Sequence, residues 1–385
     1  MTGPPAVWTE IRTLTSLRFL AALWVVLFHL QALQNTFLAP VFHSFAPIVD
    51  NGVLGVDVFF VLSGFILSYT YLDRLGPRFG PATAASFLWA RFARMWPAFA
   101  LVVGVLGLWF LYGTTQHTAL DWSLQLKAPD LSPWGLIKQL LMVHLWFSPE
   151  TDGASWFGPG WTVSAEWLAY VTFPLTALAL FRLRRLHPLP ALGASVLVLL
   201  PVAMIGPGQL IDTYTPYPCE WLVRILCCFL AGGFAYLAVR NIGASRFRPQ
   251  LAGPATILVA ALVLVFLLQA NNSGQGRPAV LAFPLIIALL SLSQGRVRSV
   301  LGHRWLIQGG RASYSLYLVH MPFIYAFHWL SVDWLHDSHP VGQNLLAVGC
   351  LAGTALATYL LFAFVEEPAR HRLRKLFPRP AAPNY

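Results

Sequence analysis

Long apolar runs separated by short polar stretches recur along the whole chain. A bilayer core requires about 20 mostly apolar residues per helix. Ten runs approach this length: 14–33, 52–73, 96–112, 161–181, 189–206, 219–239, 251–270, 278–294, 313–330 and 343–365. The pattern predicts an all-α fold, a polytopic integral membrane bundle of about ten transmembrane helices. The fifth and eighth runs are the weakest, because both are short or interrupted by proline.

Composition agrees with a membrane protein. Of the 385 residues, 57% are hydrophobic and only 10% are Asp, Glu, Lys or Arg, whereas an ordinary soluble domain has about 25% charged residues. A soluble protein of this size needs more charge to cover its surface. The composition therefore argues against a soluble enzyme, a disordered chain and a coiled coil.

The formal net charge of +10 has two explanations, nucleic-acid binding and the excess of Lys and Arg in cytoplasmic loops. We tested the second by placing the N-terminus in the cytoplasm. Most basic residues then fall on the cytoplasmic side, and only Lys127, Lys138 and Arg277 fall outside. This asymmetry predicts that both termini are cytoplasmic and that the partner of the chain is the lipid bilayer and not a nucleic acid.

The outer face receives one long connection, 113–160, which contains Trp122, Trp134, Trp146 and Trp156. Within it, 134–147 is predicted to form a short helix at the interface. Aromatic residues commonly anchor a protein at the membrane surface. The sharper alternative is that they line a cleft for a substrate.

Six ionisable residues lie within the predicted helices, and such residues are costly in lipid and usually mark function. They are His29, Asp57, Glu166, Arg224, His320 and His328. Arg224 follows Glu220 by four residues, a spacing that brings two side chains together on a helix. We therefore expect Arg224 either to form a structural ion pair with Glu220 or to extend its guanidinium group to the membrane surface.

Three of these residues share one depth in the predicted membrane. At 1.5 Å per residue, His29, Asp57 and Glu166 each lie about 8–9 Å outward of the midpoint of their helix. An imidazole next to a carboxylate suits general-base catalysis, because the acid fixes the tautomer and stabilises the imidazolium. A structural hydrogen-bonded triad and a proton relay in a transporter are the alternatives.

Arginine residues on the cytoplasmic side complete the pattern. Arg18 precedes His29 by eleven residues, so both lie on one helix face, separated by about 16 Å along the axis. Arg91 and Arg94 are three residues apart and also share a face, and paired guanidinium groups suit phosphates. Anchoring at the cytoplasmic surface is the simpler explanation of any one of them. Together they indicate a long substrate with an anionic head.

Six segments in this order resemble the signatures of the membrane acyltransferase family 3. They are SLRFLAALWVVLFHL, GVDVFFVLSGFIL, RFARMWP, WTVSAEWLAY, SYSLYLVHMP and VEEPARHRL. The first contains a basic residue, ten others and then His, as Arg18 and His29. The resemblance covers nearly the whole chain, 1–385, as one transmembrane domain. One departure is visible, because the family commonly has two adjacent acids where Glu166 is followed by Trp167.

The resemblance implies transfer of an acyl group, most often acetyl, from cytoplasmic acyl-CoA to a hydroxyl. His29 would act as general base or transient acyl carrier, oriented by Glu166 or Asp57. The phosphates of CoA would contact Arg18, Arg91 and Arg94. The substrate would contact Ser63, Trp161 and His320. No metal is expected.

The acceptor implied by the resemblance is a sugar of an exopolysaccharide, an O-antigen or a lipid-linked glycan, and the location is the inner membrane of a bacterium. A macrolide or another secondary metabolite is the alternative acceptor. A proton-coupled transporter is the alternative from a different class, and a non-catalytic scaffold is a third. The sequence leaves the oligomeric state open, and it does not separate direct transfer from an acyl-enzyme. No fused soluble domain is expected.

Overall fold

The structure, a computed structural model, describes residues 10–115, 130–151, 153–204, 219–242, 248–270, 273–333, 335 and 339–376. Every regular element in these ranges is a helix. The α-helices in chain order are α1 Arg12–His29, α2 Ala39–Ser44, α3 Ala46–Val49, α4 Leu54–Leu75, α5 Pro81–Thr115, α6 Pro133–Leu140, α7 Trp161–Arg182, α8 Pro188–Leu197, α9 Leu200–Met204, α10 Glu220–Arg240, α11 Ala252–Gln269, α12 Ser273–Gly276, α13 Phe283–Leu292, α14 Gly295–Leu301, α15 Arg304–Asp333, α16 Pro340–Leu360 and α17 Glu367–Leu376. A π-helical turn, Leu361–Glu366, joins the last two.

Seven helical stretches in the described ranges are long and apolar enough to cross a membrane. They are Arg12–Leu33, Leu54–Leu75, Pro81–Gly113, Gly158–Arg182, Glu220–Arg240, Ala252–Gln269 and Pro340–Leu376. An eighth arises if the pair Arg277–Leu292 and Gly295–Leu301, bent by 98°, counts as one span. These stretches confirm the prediction of an all-α, polytopic membrane bundle.

The three remaining predicted runs also coincide with helices. The fifth matches the shorter stretch Pro188–Met204, the eighth matches the bent pair, and the ninth lies inside the 30-residue α15. The count of ten spans and the cytoplasmic termini stay predictions. Residues 205–206 of the fifth run lie outside the described residues, as do Trp122 and Lys127 of the outer connection.

Close approach of backbones holds α4 against α10, and glycine makes it possible. A Cβ atom on Gly64 would overlap the carbonyl of Phe229, and one on Gly232 would overlap the backbone of Val61. Small residues at such crossings let helices pack tightly where lipid offers no hydrophobic driving force. Helix α1 packs along α15 in the same bundle. Helix α1 also contacts α4, so the predicted site residues of α1, α4 and α15 share one interior.

The outer connection contains the predicted short helix, here α6. Ser132 caps it by accepting a hydrogen bond from the Gly135 amide at 3.0 Å. Met142, with φ of 58°, follows the end of the helix in the left-handed region. Trp134 is exposed, as an interface anchor would be. Trp156 is buried and donates to the carbonyl of Asp130 at 3.0 Å, which ties the connection together.

Candidate active site

A narrow cavity of about 80 Å³ lies inside the bundle between α1, α4, α5, α7 and α15. Five of the predicted site residues line it: Arg18, Ser63, Arg91, Arg94 and Glu166. Tyr170, Tyr314 and Tyr317 are also among the lining residues. Along α7 the lining extends from Thr162 to Tyr170, eight residues or about 12 Å. The cavity is therefore an elongated passage between helices.

One end of the cavity is strongly basic. Arg18, Arg91 and Arg94 act on one another electrostatically, and Glu166 is the one carboxylate in the described lining. The Arg91 side chain donates to the Tyr71 hydroxyl at 3.2 Å. Its Nε is buried with no hydrogen-bond partner in the described part of the chain. Three guanidinium groups with one carboxylate among the described lining residues form a site that attracts anions.

Glu166 lies beside these arginines and is held by two hydroxyl groups. Ser63 donates to Oε1 of Glu166 at 2.6 Å, and Tyr170 donates to the same oxygen. Tyr170 follows Glu166 by four residues on α7, so the helix places both on one face. Sequence reasoning missed Tyr170, although this spacing was the signal that could have found it.

His29 and His320 are not among the described lining residues but meet behind Tyr317, which lies at the Thr162 end of the cavity, 2.9 Å from the Thr162 hydroxyl. Nε2 of His320 lies 3.3 Å from Nδ1 of His29, and the ring centroids are 5.0 Å apart. Nδ1 of His29 also lies 2.9 Å from the carbonyl of Val25. The ring of Tyr317, which lines the cavity, is 5.6 Å from the ring of His320. The cavity thus ends at Tyr317, next to a pair of imidazoles of which His320 is buried and His29 is half-buried.

The structure does not bring His29 into contact with either predicted carboxylate. Asp57 is engaged by Arg224, whose Nε and Nη2 donate to its two carboxylate oxygens at 3.1 and 3.0 Å. Glu166 is engaged by Ser63 and Tyr170, as described above. Equal depth on three helices was insufficient for contact, because depth fixes only one of the three coordinates of a side chain.

The expected pair of Arg224 with Glu220 is wrong. Arg224 turns to Asp57 instead, and Glu220 pairs with Arg277 at 2.8 Å. All four side chains are buried, and two arginines balance two acids. A fork-shaped guanidinium matches a carboxylate best when both of its nitrogens can donate. Asp57 offers that geometry across the tightly packed α4 and α10, which the spacing along α10 could not reveal.

Trp161 does not line the cavity. Its ring packs under the guanidinium of Arg224, 5.3 Å from the ring centroid, and meets the edge of Phe60. The indole therefore links the first turn of α7 to the Asp57–Arg224 ion pair. His328 lies on α15, two helical turns beyond His320.

A second, open cavity of about 380 Å³ lies in the outer connection. Its ionisable lining residues are Asp130, Lys138, His144 and Glu150, and no tryptophan of the described ranges lines it. Burial lowers the pKa of His144 to about 4, so this imidazole is neutral at pH 7. Among the described residues, no group of three or more His, Cys, Asp or Glu side chains could hold a metal ion.

Comparison with known sequences places this geometry in a family. The family described as "Acyltransferase domain" matches residues 11–363, so the chain belongs to this acyltransferase family and is an acyltransferase. The resemblance predicted from the six motifs is therefore confirmed. No solved structure matches the chain.

Individual relatives are similar over most of their length. "Acyltransferase MdmB" of Streptomyces mycarofaciens is 27% identical over 99% of this chain and 97% of its own. "Exopolysaccharide production protein ExoZ" of Rhizobium meliloti is 29% identical over 70% of this chain and 75% of its own. "Nodulation protein 10" of Rhizobium leguminosarum is 26% identical over 82% of this chain and 81% of its own.

Proposed function

We propose that the protein transfers an acetyl group from cytoplasmic acyl-CoA to a hydroxyl of an exopolysaccharide, O-antigen or lipid-linked sugar at the inner membrane of a bacterium. The observation that carries this proposal is the elongated cavity with three arginines at one end and a histidine pair behind the other. An acyl-CoA has the matching form, with phosphates at one end of a long thin arm and the reactive thioester at the other.

The residues present fit the anionic end of such a donor. Arg18, Arg91 and Arg94 surround the basic end, and the buried Nε of Arg91 lacks a partner within the described ranges. A bound phosphate would supply acceptors for these donors. The Glu166 carboxylate then offsets part of the positive charge of the arginines. Hydrogen bonds from Ser63 and Tyr170 hold this carboxylate in position.

His29 is the proposed general base. It takes the proton of the acceptor hydroxyl while the oxygen attacks the thioester carbonyl, a role that a positioned imidazole performs well near neutral pH. The new ester C–O bond forms as the C–S bond breaks, and the proton passes from the imidazolium to the sulfur of CoA. Direct transfer and a transient acyl-imidazole both use the same residue.

The first test is binding and turnover in lipid nanodiscs. Purified protein with labelled acetyl-CoA is expected to bind CoA and to acetylate an added glycan. Arg94→Ala should raise the KM for acetyl-CoA by about 10- to 100-fold, since a hydrogen bond to a charged group contributes about 1.5–3 kcal/mol. Arg296→Ala, on an exposed position of α14, is the matched control and should leave the KM unchanged. Absence of both CoA binding and acetyl transfer would overturn the proposal.

The acceptor is tested separately, in the source organism. The name of the ExoZ relative, an exopolysaccharide production protein, supports a glycan. Mass spectrometry of surface polysaccharide from a deletion strain should show loss of an O-acetyl group, restored by the wild-type chain and not by His29→Ala. Unchanged glycans together with loss of acetyl from a secreted metabolite would move the acceptor to the macrolide class.

A further inference from the structure

The two imidazoles that meet at the end of the cavity come from helices that pack along each other. His29 is the last residue of α1, and His320 lies near the middle of α15. His320 is 1% exposed. Its Nε2 points at Nδ1 of His29 at 3.3 Å, and the same Nδ1 faces the Val25 carbonyl at 2.9 Å. One ring nitrogen of His29 therefore faces two groups at once.

These two contacts determine where the protons lie. A carbonyl oxygen only accepts hydrogen bonds, so the contact with Val25 requires a hydrogen on Nδ1 of His29. The other nitrogen of that ring, Nε2, then carries the lone pair. His320 must present its own lone pair at Nε2 toward the shared N–H, and so it carries its hydrogen on Nδ1.

The opposite assignment is less favourable. If Nε2 of His320 donated to His29, a lone pair on Nδ1 of His29 would face the lone pairs of the Val25 oxygen at 2.9 Å. The first assignment of the protons has the smaller free-energy cost. Nδ1 of His320 is buried without a well-formed hydrogen bond in the described part of the chain, and the carbonyls of Tyr317 and Leu316 interact with this ring. A donor near imperfect acceptors costs less than two lone pairs in contact.

We propose that His320 is the positioning residue of His29. Together with the Val25 carbonyl it accepts the Nδ1 hydrogen and holds the ring in the tautomer whose Nε2 is free to take a proton. This extends the proposed function, on which it rests for the meaning of that proton. In the reaction the acceptor hydroxyl proton goes to Nε2 and later to the CoA sulfur, while the Nδ1 hydrogen stays in place throughout.

A histidine in this place differs from the carboxylate that usually orients a catalytic imidazole. A carboxylate adds a negative charge that stabilises the imidazolium, whereas a neutral imidazole supplies an acceptor and orientation only. Asp57 and Glu166 are occupied elsewhere, as their ion pair and hydrogen bonds show. This role of His320 is an alternative to the substrate contact that the family resemblance implies, and that contact stays a prediction.

The chain contains a matched reference for this tautomer. Nδ1 of His43 lies 2.7 Å from the carbonyl of Ala39, four residues earlier, as Nδ1 of His29 faces Val25. His43 is exposed on the short α2. It therefore serves as an exposed reference for the same backbone contact.

The test is ¹⁵N NMR of the full chain with labelled histidine in nanodiscs. We expect a protonated Nδ1 and an unprotonated Nε2 for His29, and an unprotonated Nε2 for His320, with signals assigned from His29→Gln and His320→Gln. A protonated Nε2 on His320, or an unprotonated Nδ1 on His29, would overturn the proposal. This readout does not depend on turnover, so failure of the proposed function is seen separately as a correct tautomer without acetyl transfer.

Kinetics of two variants give the second readout. His320→Gln places an amide oxygen near the former Nε2 and should keep at least about a third of kcat. His320→Leu offers no acceptor and should lose at least about tenfold in kcat, with the KM for acetyl-CoA unchanged, because general-base catalysis contributes about 10²–10⁴-fold. His43→Gln should change neither kcat nor the His29 signals. Full kcat in a folded His320→Leu variant would contradict the proposal.

Discussion

Arg224 on α10 grips both carboxylate oxygens of Asp57 on α4, with donor–acceptor distances of 3.1 and 3.0 Å. Both side chains are buried, and the indole of Trp161 covers the guanidinium. The Asp57 carboxylate therefore links α4 to α10 through this ion pair and does not contact His29. The ion pair also supports the first turn of α7 through Trp161, and Glu166 follows Trp161 by five residues on the same helix.

Removing one partner of this ion pair should destabilise the bundle strongly. Asp57→Ala or Arg224→Ala leaves an uncompensated buried charge, which costs about 3–5 kcal/mol. The double variant should lose less than the sum of the two, because no lone charge remains. Thermal unfolding in nanodiscs, followed by tryptophan fluorescence, measures all three changes.

A second ion pair between α4 and α10 serves as the matched control. Asp73 on α4 pairs with Arg240 on α10 at 2.8 Å, but the side chains are 45% and 29% exposed. Arg240→Ala should cost no more than about 1 kcal/mol, as exposed pairs do. Equal losses from Arg240→Ala and Arg224→Ala would refute the idea that burial makes the Asp57 pair important.

Replacing Gly64 should force α4 and α10 apart. In Gly64→Ala the added Cβ meets the backbone of Phe229, which cannot rotate away as a side chain could. We expect a loss of about 1–3 kcal/mol, the usual cost of overpacking. Gly104→Ala is the control, since a Cβ there meets nothing within 4 Å. Its unfolding temperature should stay the same or rise, and a similar drop in both variants would disprove the contact argument.

Neutralising Glu166 separates two roles for this carboxylate. Glu166→Gln keeps an oxygen that accepts from Ser63 and Tyr170 but removes the one negative charge among the described lining residues. The KM for acetyl-CoA should fall, because the cavity becomes more positive, and kcat should change by less than about threefold. A large fall in kcat, about 10²-fold or more, with unchanged KM would instead show that Glu166 acts on the base.

Acidification should lower the stability of the folded outer connection, because His144 is buried there as a neutral imidazole. Burial holds the pKa of His144 at about 4 in the folded chain, below about 6.5 in an unfolded one. The folded state therefore binds fewer protons in this range, and stability is complete above pH 6.5 and declines as pH falls toward 4. Each pH unit costs up to about 1.4 kcal/mol.

His144→Gln removes this titration. The variant should show a flatter dependence of unfolding temperature on pH between 7 and 5 than the wild type. Nε2 of His144 contacts the carbonyl of Gly160 at 3.1 Å, and the Gln amide can donate in its place. Identical slopes for the two proteins would show that His144 is not the group responsible.

The membrane fold could be predicted from sequence because it depends on local composition. Each apolar run must satisfy its backbone hydrogen bonds internally, and a helix is the solution available to a single segment in lipid. The order of the motifs also sufficed to identify the acyltransferase family. The weak fifth and eighth runs are the ones that the structure divides or bends, at 198–199 and between Leu292 and Gly295.

Much of the basic end of the cavity was also predictable. Arg18, Arg91, Arg94 and Glu166 were selected by charge in or beside apolar segments, and all four line one cavity. Charge so close to lipid is costly, so its occurrence in sequence is informative without a partner in view.

Only the tertiary structure decided which ionisable side chains contact each other. Asp57 and Arg224 lie 167 residues apart, and His29 and His320 lie 291 apart. Helix periodicity gives the depth of a side chain and its face relative to near neighbours, but not the rotation of one helix against another. That rotation follows from the packing of α4 on α10 and of α1 on α15. It places Asp57 in contact with an arginine and His29 in contact with a second histidine.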